Sequence, residues 1–335
     1  MTPAIRVEGL SRVFPGRSGE GDVYALTDAT FEVARGETLG LVGESGCGKS
    51  TLARLLARLD KPTAGRIEVN GTDVTGLSDR AFRSHRGDIQ MVFQDPFGSL
   101  NPRQTVGRTI GEVLDVHGLV DGRQEREDRI NELLTMVGLG TGFASRLPRQ
   151  LSGGQMQRVG IARALAVEPS ILVLDESVSA LDVSVQAEVM NLLVRMRDEL
   201  DLTYVFISHD LGMVRHISDR IAVMYLGRVV ELGTWKDVSD HPLHPYAIAL
   251  QHAVPVADPA LESGEIEAPL EGEVPNPADP PSGCAFHPRC PLKEDVCSER
   301  RPELVAVDDG RLVACHVVAS YQGGGMLGEA SDEES

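Results

Sequence analysis

A glycine-rich stretch near the N-terminus has the residue types and spacing of a phosphate-binding loop. Residues 43–50 read GESGCGKS, between an apolar strand pattern at Leu39–Gly43 and a helical pattern at Ser50–Arg58. The glycines let backbone N–H groups converge on a phosphate, and the helix start adds partial positive charge. Lys49 is expected to bridge the β- and γ-phosphates, and the Ser50 hydroxyl to bind Mg²⁺. The alternative is a glycine-rich turn with an unrelated lysine. It does not explain why the loop lies between a strand pattern and a helical pattern, as a phosphate-binding loop requires.

Two adjacent carboxylates follow a second apolar run. Ile171–Asp175 reads ILVLD, and Glu176 comes next. A buried strand of this kind would deliver Asp175 to its carboxyl end, where a phosphate-loop enzyme holds Mg²⁺. Glu176, one residue further on, could then polarise an attacking water molecule. Taken alone, these residues are also compatible with an acidic turn at the end of a strand.

The pentapeptide LSGGQ, Leu151–Gln155, lies between the phosphate loop and the ILVLDE run. Ser152 is a favourable N-cap for a following helix, and the glycines allow the backbone to approach a phosphate. In this company LSGGQ resembles the signature of ATP-binding cassette (ABC) proteins, and the resemblance covers residues 4–235. A helix cap after a turn is the alternative, but it does not explain the neighbouring motifs.

The resemblance implies a role for most of the chemistry-bearing residues. Gln94 would be the glutamine of the Q-loop, Ser179–Asp182 the D-loop and His209 the switch histidine. Glu176, His209 and Gln94 would form the catalytic group, while Ser50, Gln94 and Asp175 would hold Mg²⁺. Tyr24 is the alternative to Phe14 as the ring that stacks on adenine. The full expected set of nucleotide-binding residues is Phe14, Gly43, Ser45, Gly46, Cys47, Gly48, Lys49, Ser50, Thr51, Gln94, Ser152, Gly153, Gly154, Gln155, Asp175 and Asp182.

The same resemblance implies two cassettes that face each other head to tail. Each ATP would lie between the phosphate loop of one subunit and the LSGGQ of the other, so hydrolysis would require closure. Because this chain has both halves, it is expected to supply a complete hydrolytic set and a signature. Its partner would be a second ABC ATPase subunit, either a paralogue or another copy of itself.

A narrower resemblance lies downstream. His244-Pro245-Tyr246 and the phrase FGSLNPR at 97–103 are similar to elements of the oligopeptide and dipeptide importer ATPases, an architecture that nickel importers share. The likeness implies a subunit on the cytoplasmic face of the cell membrane, bound to two transmembrane permease subunits. An extracytoplasmic solute-binding protein would be an indirect partner, and nucleic acid is not expected. The alternatives are a soluble ABC protein of translation or DNA repair and a regulatory module that senses iron or redox state.

Four of the five cysteines crowd into the last part of the chain, spaced Cys284-x₅-Cys290-x₆-Cys297-x₁₇-Cys315. In a reducing compartment such a set indicates a metal site before it indicates disulfides. Four thiolates can bind a [4Fe–4S] cluster or tetrahedral Zn²⁺. Structural zinc sites usually use closer cysteine pairs, and members of the resembling group carry [4Fe–4S] in this segment. We therefore expect an iron–sulfur cluster first, zinc second and free thiols third.

The element pattern and the resemblance together predict an α/β, ABC-type phosphate-loop NTPase core. It would carry a helical subdomain, an N-terminal antiparallel β subdomain and a loop-rich, metal-binding C-terminal extension. The expected boundaries are 1–240 for the nucleotide-binding domain, with the helical subdomain at about 96–158, then 241–322 for the extension and 323–335 for a disordered acidic tail. A proline-rich segment at 254–283 is expected to be an extended linker or a loop-rich wrap.

Several elements can be placed by their apolar patterns. Strands are predicted at Ile89–Gln94 and Thr203–Ser208, and two helices within 105–147. A helix before Thr203 should bury one face at a 3.6-residue period. That face consists of Val185, Val189, Leu192, Leu193, Met196 and Leu200.

The composition excludes two classes of protein. The chain has 32 basic and 50 acidic residues, a net charge of −18, which argues against a general nucleic-acid binder. Mean hydropathy is −0.10, and no run approaches the ~18 apolar residues of a membrane-spanning helix, so an integral membrane protein is excluded. The N-terminus has no secretory-signal pattern, so the cytosol is the expected compartment. Only four basic residues are lysines, which favours a high-salt habitat over a high-GC genome and does not bear on function.

Overall fold

The computed structural model describes residues 2–16, 21–179, 181–253, 272–308 and 310–323. The strands are β1 (Ile5–Phe14), β2 (Val23–Val33), β3 (Thr38–Val42), β4 (Ala64–Val69), β5 (Thr72–Asp73), β6 (Ile89–Val92), β7 (Ile171–Asp175), β8 (Thr203–Ile207), β9 (Arg220–Tyr225), β10 (Arg228–Thr234), β11 (Val305–Asp308) and β12 (Arg311–Val313). The helices are α1 (Lys49–Leu56), α2 (Asp79–Phe82), α3 (Pro96–Ser99), α4 (Val106–His117), α5 (Arg123–Met136), α6 (Gly153–Leu165), α7 (Val183–Leu200), α8 (Leu211–Ile217), α9 (Trp235–Asp240), α10 (Pro245–His252), α11 (Asp295–Glu299) and α12 (His316–Gly323).

The larger of two sheets carries the elements that end at the candidate site. Its strand order is β11-β12-β10-β9-β3-β8-β7-β6, and the five strands from β9 to β6 run parallel. Every residue of β3, β7 and β8 is buried. Their side chains alternate between two hydrophobic cores, so that Leu172 and Leu174 join one core while Ile171 and Val173 join the other. Such double-sided burial explains the uninterrupted apolar runs in the sequence.

The smaller sheet is antiparallel, with the order β2-β1-β4-β5. Its inward residues, among them Ile5 and Leu10, share one of the two cores with α1 and with the larger sheet. The N-terminal antiparallel unit expected from the sequence is therefore present. It fixes the position of β2, whose backbone passes close to the phosphate loop.

The helices α4 to α7 share the other core. The two helices predicted within 105–147 correspond to α4 and α5. The first begins after Thr105, whose hydroxyl accepts the N–H of Arg108 at 3.3 Å, and ends at Gly118 in a left-handed conformation with φ of 63°. In the described part of the chain no helix combines the length and the apolar character needed to cross a bilayer.

The apolar face predicted for α7 is correct in the middle of the helix and wrong at its last residue. Val189, Leu192, Leu193 and Met196 are buried and Val185 is half-buried, but Leu200 is 41% exposed. The helix ends there, because the next residue turns into a left-handed conformation. The final turn has therefore left the core even though the sequence periodicity continues.

The C-terminal extension continues the larger sheet. Strands β11 and β12 form an antiparallel hairpin, and β12 pairs with β10. The sequence predicted a loop-rich extension and missed this hairpin, because strands of four and three residues are too short to show an alternating pattern. The linker predicted at 254–283 lies outside the described residues as far as 271, and so does the predicted acidic tail from residue 324 onward.

A buried ion pair joins the extension to β10. Glu231 is fully buried, and Nη2 of Arg311 on β12 lies 2.6 Å from its Oε1. Glu231 also accepts backbone N–H groups from Leu243 and His244, and Arg311 also donates to the carbonyl of His241. Because each charge has several partners, the pair can be buried, and the loss of either member would leave the other uncompensated.

We expect Arg311→Leu to lower the free energy of unfolding by about 3 kcal/mol, since Glu231 would be left as a buried carboxylate without its cation. The single tryptophan, Trp235, begins α9, the helix whose Asp237 carbonyl accepts a hydrogen bond from Arg311, so its fluorescence during urea unfolding reports the change. The matched control is Arg123→Leu. Arg123 pairs with Glu127 at 91% side-chain exposure, so its loss should leave the free energy of unfolding nearly unchanged. Equal effects of the two substitutions would contradict the prediction.

Candidate active site

The phosphate loop lies against backbone on two sides, which explains two of its glycines. Gly43 has φ of 154° and Gly48, the N-cap of α1, has φ of 103°. A Cβ at Gly43 would lie 2.2 Å from the carbonyl oxygen of Met224, and one at Gly48 would lie 2.3 Å from that of Ala25. Only glycine fits both the conformation and the space. The loop between β3 and α1 is therefore held closely against β9 and β2.

Lys49 is 4% exposed and its ammonium turns back onto the loop. Nζ donates to the carbonyl oxygens of Gly43 at 2.6 Å and Glu44 at 3.0 Å. Cys47, a residue of the loop, is 2% exposed, and burial raises the pKa of its thiol. The lysine charge is thus held at the loop by backbone carbonyls, and the cysteine is packed as a small apolar residue.

Ser50 and Asp175 are brought together by α1 and β7. The Ser50 hydroxyl donates to Oδ1 of Asp175 at 3.1 Å. Asp175 is 6% exposed; burial raises the pKa of its carboxyl, and the Ser50 hydrogen bond opposes that rise. A hydroxyl and a carboxylate are oxygen donors of the type that Mg²⁺ prefers. The pair therefore fits the predicted magnesium ligands.

Three loops that follow neighbouring parallel strands bring Gln94, Glu176 and His209 together. Nε2 of Gln94 donates to Oε2 of Glu176 at 2.7 Å, and Nδ1 of His209 lies 3.8 Å from Oε1 of the same carboxylate. Glu176 adopts a left-handed backbone, with φ of 44°, while its N–H donates to the carbonyl of Ile207 at 3.0 Å. The structure thus assembles the predicted catalytic group around one carboxylate.

The strand predicted at Ile89–Gln94 is two residues too long, because β6 ends at Val92. Gln94 therefore lies beyond the ladder, and its side chain is exposed apart from the hydrogen bond to Glu176. The apolar Phe93 extends the sequence pattern past the last paired residue, which explains the difference.

The LSGGQ segment forms the start of α6 by a reciprocal cap. The Ser152 hydroxyl accepts the N–H of Gln155 at 3.3 Å, and the Gln155 side chain accepts the N–H of Ser152 at 3.1 Å. A Cβ at Gly154 would lie 2.3 Å from Cγ1 of Val185, so this glycine lets α6 approach α7. Gly153 and Ser152 remain at least partly accessible. The signature thus starts a helix that packs mainly against the other helices and β6, whereas α1 packs against β2, β7 and β8.

The remaining predicted positions lie at the borders of this region. Asp182 precedes α7 and is exposed, and Ala180 of the same predicted D-loop lies outside the described residues. Phe14 ends β1, half-buried, with the Arg12 guanidinium 4.4 Å from its ring centroid. Tyr24 is 42% exposed on β2, next to the Ala25 carbonyl that contacts the phosphate loop. Both rings therefore stay candidates for an adenine contact.

Sequence reasoning missed the contacts that the extension makes with Glu44 of the phosphate loop. The Tyr246 hydroxyl accepts the N–H of Glu44 at 2.8 Å, and Arg289 binds the Glu44 carboxylate through both terminal nitrogens at 2.8 and 3.1 Å. The His-Pro-Tyr motif marked one of these partners as notable without indicating its role. No spacing signal connects Arg289 to a residue 245 positions away.

The four C-terminal cysteines lie in one region but do not form a site for a single ion. Cys297 and Cys315 are 6% and 8% exposed, and the N–H of Cys284 donates to the carbonyl of Cys297 at 2.7 Å. Burial raises the pKa of Cys290 to about 11, with smaller contributions from the other three thiols. Within the described residues, no group of three or more Cys, His, Asp or Glu is placed to hold a metal ion. The predicted metal centre is therefore not supported here, and none of the five cysteines, all within the described residues, forms a disulfide.

Known proteins resemble the chain along most of its length. Residues 26–179 match the ABC transporter family, and residues 230–297 match the C-terminal region of oligopeptide/dipeptide transporters. A probable peptide ABC transporter ATP-binding protein of Sinorhizobium fredii, y4tS, is 53% identical, over 94% of this chain and 90% of its own. The oligopeptide transport ATP-binding protein AppF of Bacillus subtilis is 49% identical, over 93% of this chain and 97% of its own.

A solved structure shares the fold of about two thirds of this chain. It is the ATP-binding cassette MJ0796, a dimer in a post-hydrolysis state bound to ADP and phosphate. It matches with a TM-score of 0.63 and 32% identity, over 69% of this chain and 98% of its own. This likeness confirms the α/β architecture predicted from the sequence.

Proposed function

The chain belongs to the ABC transporter family of ATPases, and we propose that it powers an importer of di- and oligopeptides or similar small solutes. Relatives named for peptide transport support the substrate class, since they align over nine-tenths or more of both chains. The match to the oligopeptide/dipeptide C-terminal region supports the same branch. Import of nickel or another solute is the second candidate, because the architecture is shared.

The observation that carries the proposed ATP hydrolysis is the convergence of Gln94 and His209 on Glu176, beside the Ser50–Asp175 pair. In this arrangement Glu176 holds the attacking water and accepts its proton, and His209 and Gln94 orient the carboxylate. Lys49 leaves its loop carbonyls to neutralise the β- and γ-phosphates. Bound Mg²⁺ would be held by Ser50, Asp175 and Gln94, and it would offset charge on the phosphates.

We further propose that the complete site is shared between two cassettes. The signature residue Ser152 caps α6 and Gly153 begins it. This helix packs mainly against other helices and β6, whereas α1, which follows the phosphate loop, packs against β2, β7 and β8. The related cassette MJ0796 is described as a dimer with ADP and phosphate. Ser152, Gly153 and the other signature residues then face a partner's ATP, and closure of the pair excludes water and completes the charge stabilisation.

The assembly we propose places this subunit at the cytoplasmic face of the cell membrane, on two transmembrane permease subunits. A solute-binding protein outside delivers the substrate. Residues 1–240 form the nucleotide-binding domain and 241–322 the extension. A soluble ABC protein of a non-transport process is the alternative, and co-purification with permease subunits separates the two.

Glu176→Gln should retain ATP binding and lose most turnover, because it keeps the hydrogen-bonding shape but removes the base. We expect kcat of the assembled transporter to fall at least ~100-fold, with a closed, ATP-bound dimer accumulating. Lys49→Ala is the contrasting variant. It removes the ammonium that would neutralise the phosphates, so this variant should lose nucleotide affinity instead. ATP binding is measured on the full chain and hydrolysis on the transporter. Near wild-type hydrolysis by Glu176→Gln would contradict the assignment.

Gly153→Asp in this chain should cripple the ATP site formed by the partner's phosphate loop, since it puts a carboxylate where the signature approaches the γ-phosphate. Photolabelling each subunit of the transporter with azido-ATP measures this, with a size tag to separate the subunits. Label on the partner should fall while label on this chain persists, and Lys49→Ala in this chain should give the reverse. Loss confined to the mutant's own phosphate loop would refute the shared site.

We also propose that Cys284, Cys290, Cys297 and Cys315 bind one [4Fe–4S] cluster. Burial raises the pKa of Cys284 and Cys290, with smaller contributions from neighbouring thiols of the set, and Cys297 and Cys315 are buried. Four ligands to one zinc ion would each need a sulfur about 2.3 Å from it, whereas a cluster of four irons is itself wide and spreads its ligands. The wide spacing of the four cysteines in the sequence therefore favours a cluster over zinc. Its role would be to hold the extension in shape.

Protein purified without oxygen should be brown and contain iron and sulfide in roughly equal amounts. Cys290→Ser should reduce both and lower stability, because one of four cluster ligands is lost. Cys47→Ser is the matched control, since Cys47 lies in the phosphate loop, and it should leave the iron content unchanged. Stoichiometric zinc without iron would establish the zinc alternative, and no metal would leave four free thiols.

A further inference from the structure

One residue of the phosphate loop is held by the C-terminal extension through both its backbone and its side chain. The Glu44 N–H donates to the Tyr246 hydroxyl at 2.8 Å. The Glu44 carboxylate accepts two hydrogen bonds from Arg289, at 2.8 and 3.1 Å. The Arg289 side chain is 6% exposed and that of Glu44 is 27% exposed, so water screens the pair little. A bidentate, largely buried pair of this kind is strong and fixed in direction.

The surface that carries these two partners is buried and closely packed. Tyr246, Tyr225 and Phe286 are each at most 1% exposed, and their ring centroids lie 4.6 to 5.5 Å apart. The Arg289 guanidinium lies 5.9 Å from the ring centroid of Tyr225. Gly227, just after β9, donates its N–H to the carbonyl of Cys47 at 2.9 Å. The loop therefore rests on an aromatic platform built jointly by β9 and the extension.

The charge of Glu44 is the reason that its pairing matters. Glu44 is the second residue of a loop whose proposed task is to bind a triphosphate, so a free carboxylate there repels the ligand. Its own carbonyl also holds the ammonium of Lys49 at 3.0 Å. A partner that neutralises the Glu44 carboxylate and fixes this residue therefore acts on two charges near the phosphates, the carboxylate itself and the Lys49 ammonium.

We propose that Arg289 is a positioning residue for ATP binding: it neutralises Glu44 and holds its carboxylate away from the phosphates. The extension thereby sets the nucleotide affinity of the phosphate loop. This inference rests on the proposed ATP site, and it adds a residue outside the motifs of that site. The pairing also explains how the loop tolerates an acidic second residue.

The test is a double-mutant cycle that neutralises each charge in turn, with MgATP affinity measured on the full-length chain. Arg289→Gln should weaken binding about 10-fold, the order expected for one uncompensated charge in a partly buried site. Glu44→Gln removes the repelling charge, so the double variant Glu44→Gln/Arg289→Gln should recover to within about 2-fold of the wild type. In the assembled transporter, Arg289→Gln should raise KM for ATP and leave kcat within about 2-fold, because Arg289 does not touch the reacting atoms.

Two further variants make each outcome decisive. Arg300→Gln removes the same charge from an exposed position in the extension, and it should leave affinity unchanged. If Arg289→Gln binds MgATP as the wild type does while Lys49→Ala has lost affinity, this inference is overturned and the proposed function stands. If the double variant is as weak as Arg289→Gln alone, Arg289 acts on folding and not through the Glu44 charge, and the inference is overturned. If Lys49→Ala binds normally, the proposed ATP site itself is wrong.

Discussion

Parallel pairing around β3 is the constraint on which the rest of the structure depends. β3 lies between β8 and β9, and β7 and β6 continue the same direction, so their carboxyl ends share one edge. The backbone turns there carry the phosphate loop, Gln94, Glu176 and His209. Residues that are far apart in the sequence are thus brought together. The burial of these strands on both faces fixes the positions of the loops that follow them.

Polar contacts then tie the C-terminal extension to this edge and to the neighbouring strand β10. Glu231 accepts from Arg311 and from two backbone N–H groups. Burial lowers the pKa of His244 to about 3, so its ring stays neutral, and Nδ1 accepts the N–H of Tyr246 at 3.0 Å. The His-Pro-Tyr motif therefore forms the capped start of α10. It delivers the Tyr246 hydroxyl to the phosphate loop, so the motif connects the extension to the nucleotide site through a defined path.

The sequence was sufficient where function demands a fixed local pattern. Three segments combine a required backbone conformation with side chains that carry chemistry: the loop at 43–50, the carboxylates at 175–176 and the LSGGQ cap. The strands and helices next to them could therefore be placed within one or two residues. Leu200 was misplaced because periodicity does not mark where a helix leaves the core. The β11–β12 hairpin and the Arg289–Glu44 pair could not be predicted. The first is too short to show alternation, and the second depends on a tertiary contact across 245 positions.

The pairing of β12 with β10 has a consequence for how the molecule can be divided. A chain cut at residue 240 would keep every nucleotide-binding motif, yet it would turn β10 into an open edge with a row of unpaired backbone groups. Such edges recruit other strands and lead to aggregation. The cut would also remove Arg311, the cation that pairs with the buried Glu231 carboxylate, and Arg289, the guanidinium partner of the loop residue Glu44. The extension is therefore an integral part of the fold, and a fragment that keeps the outer edge of β10 paired must reach beyond Val313.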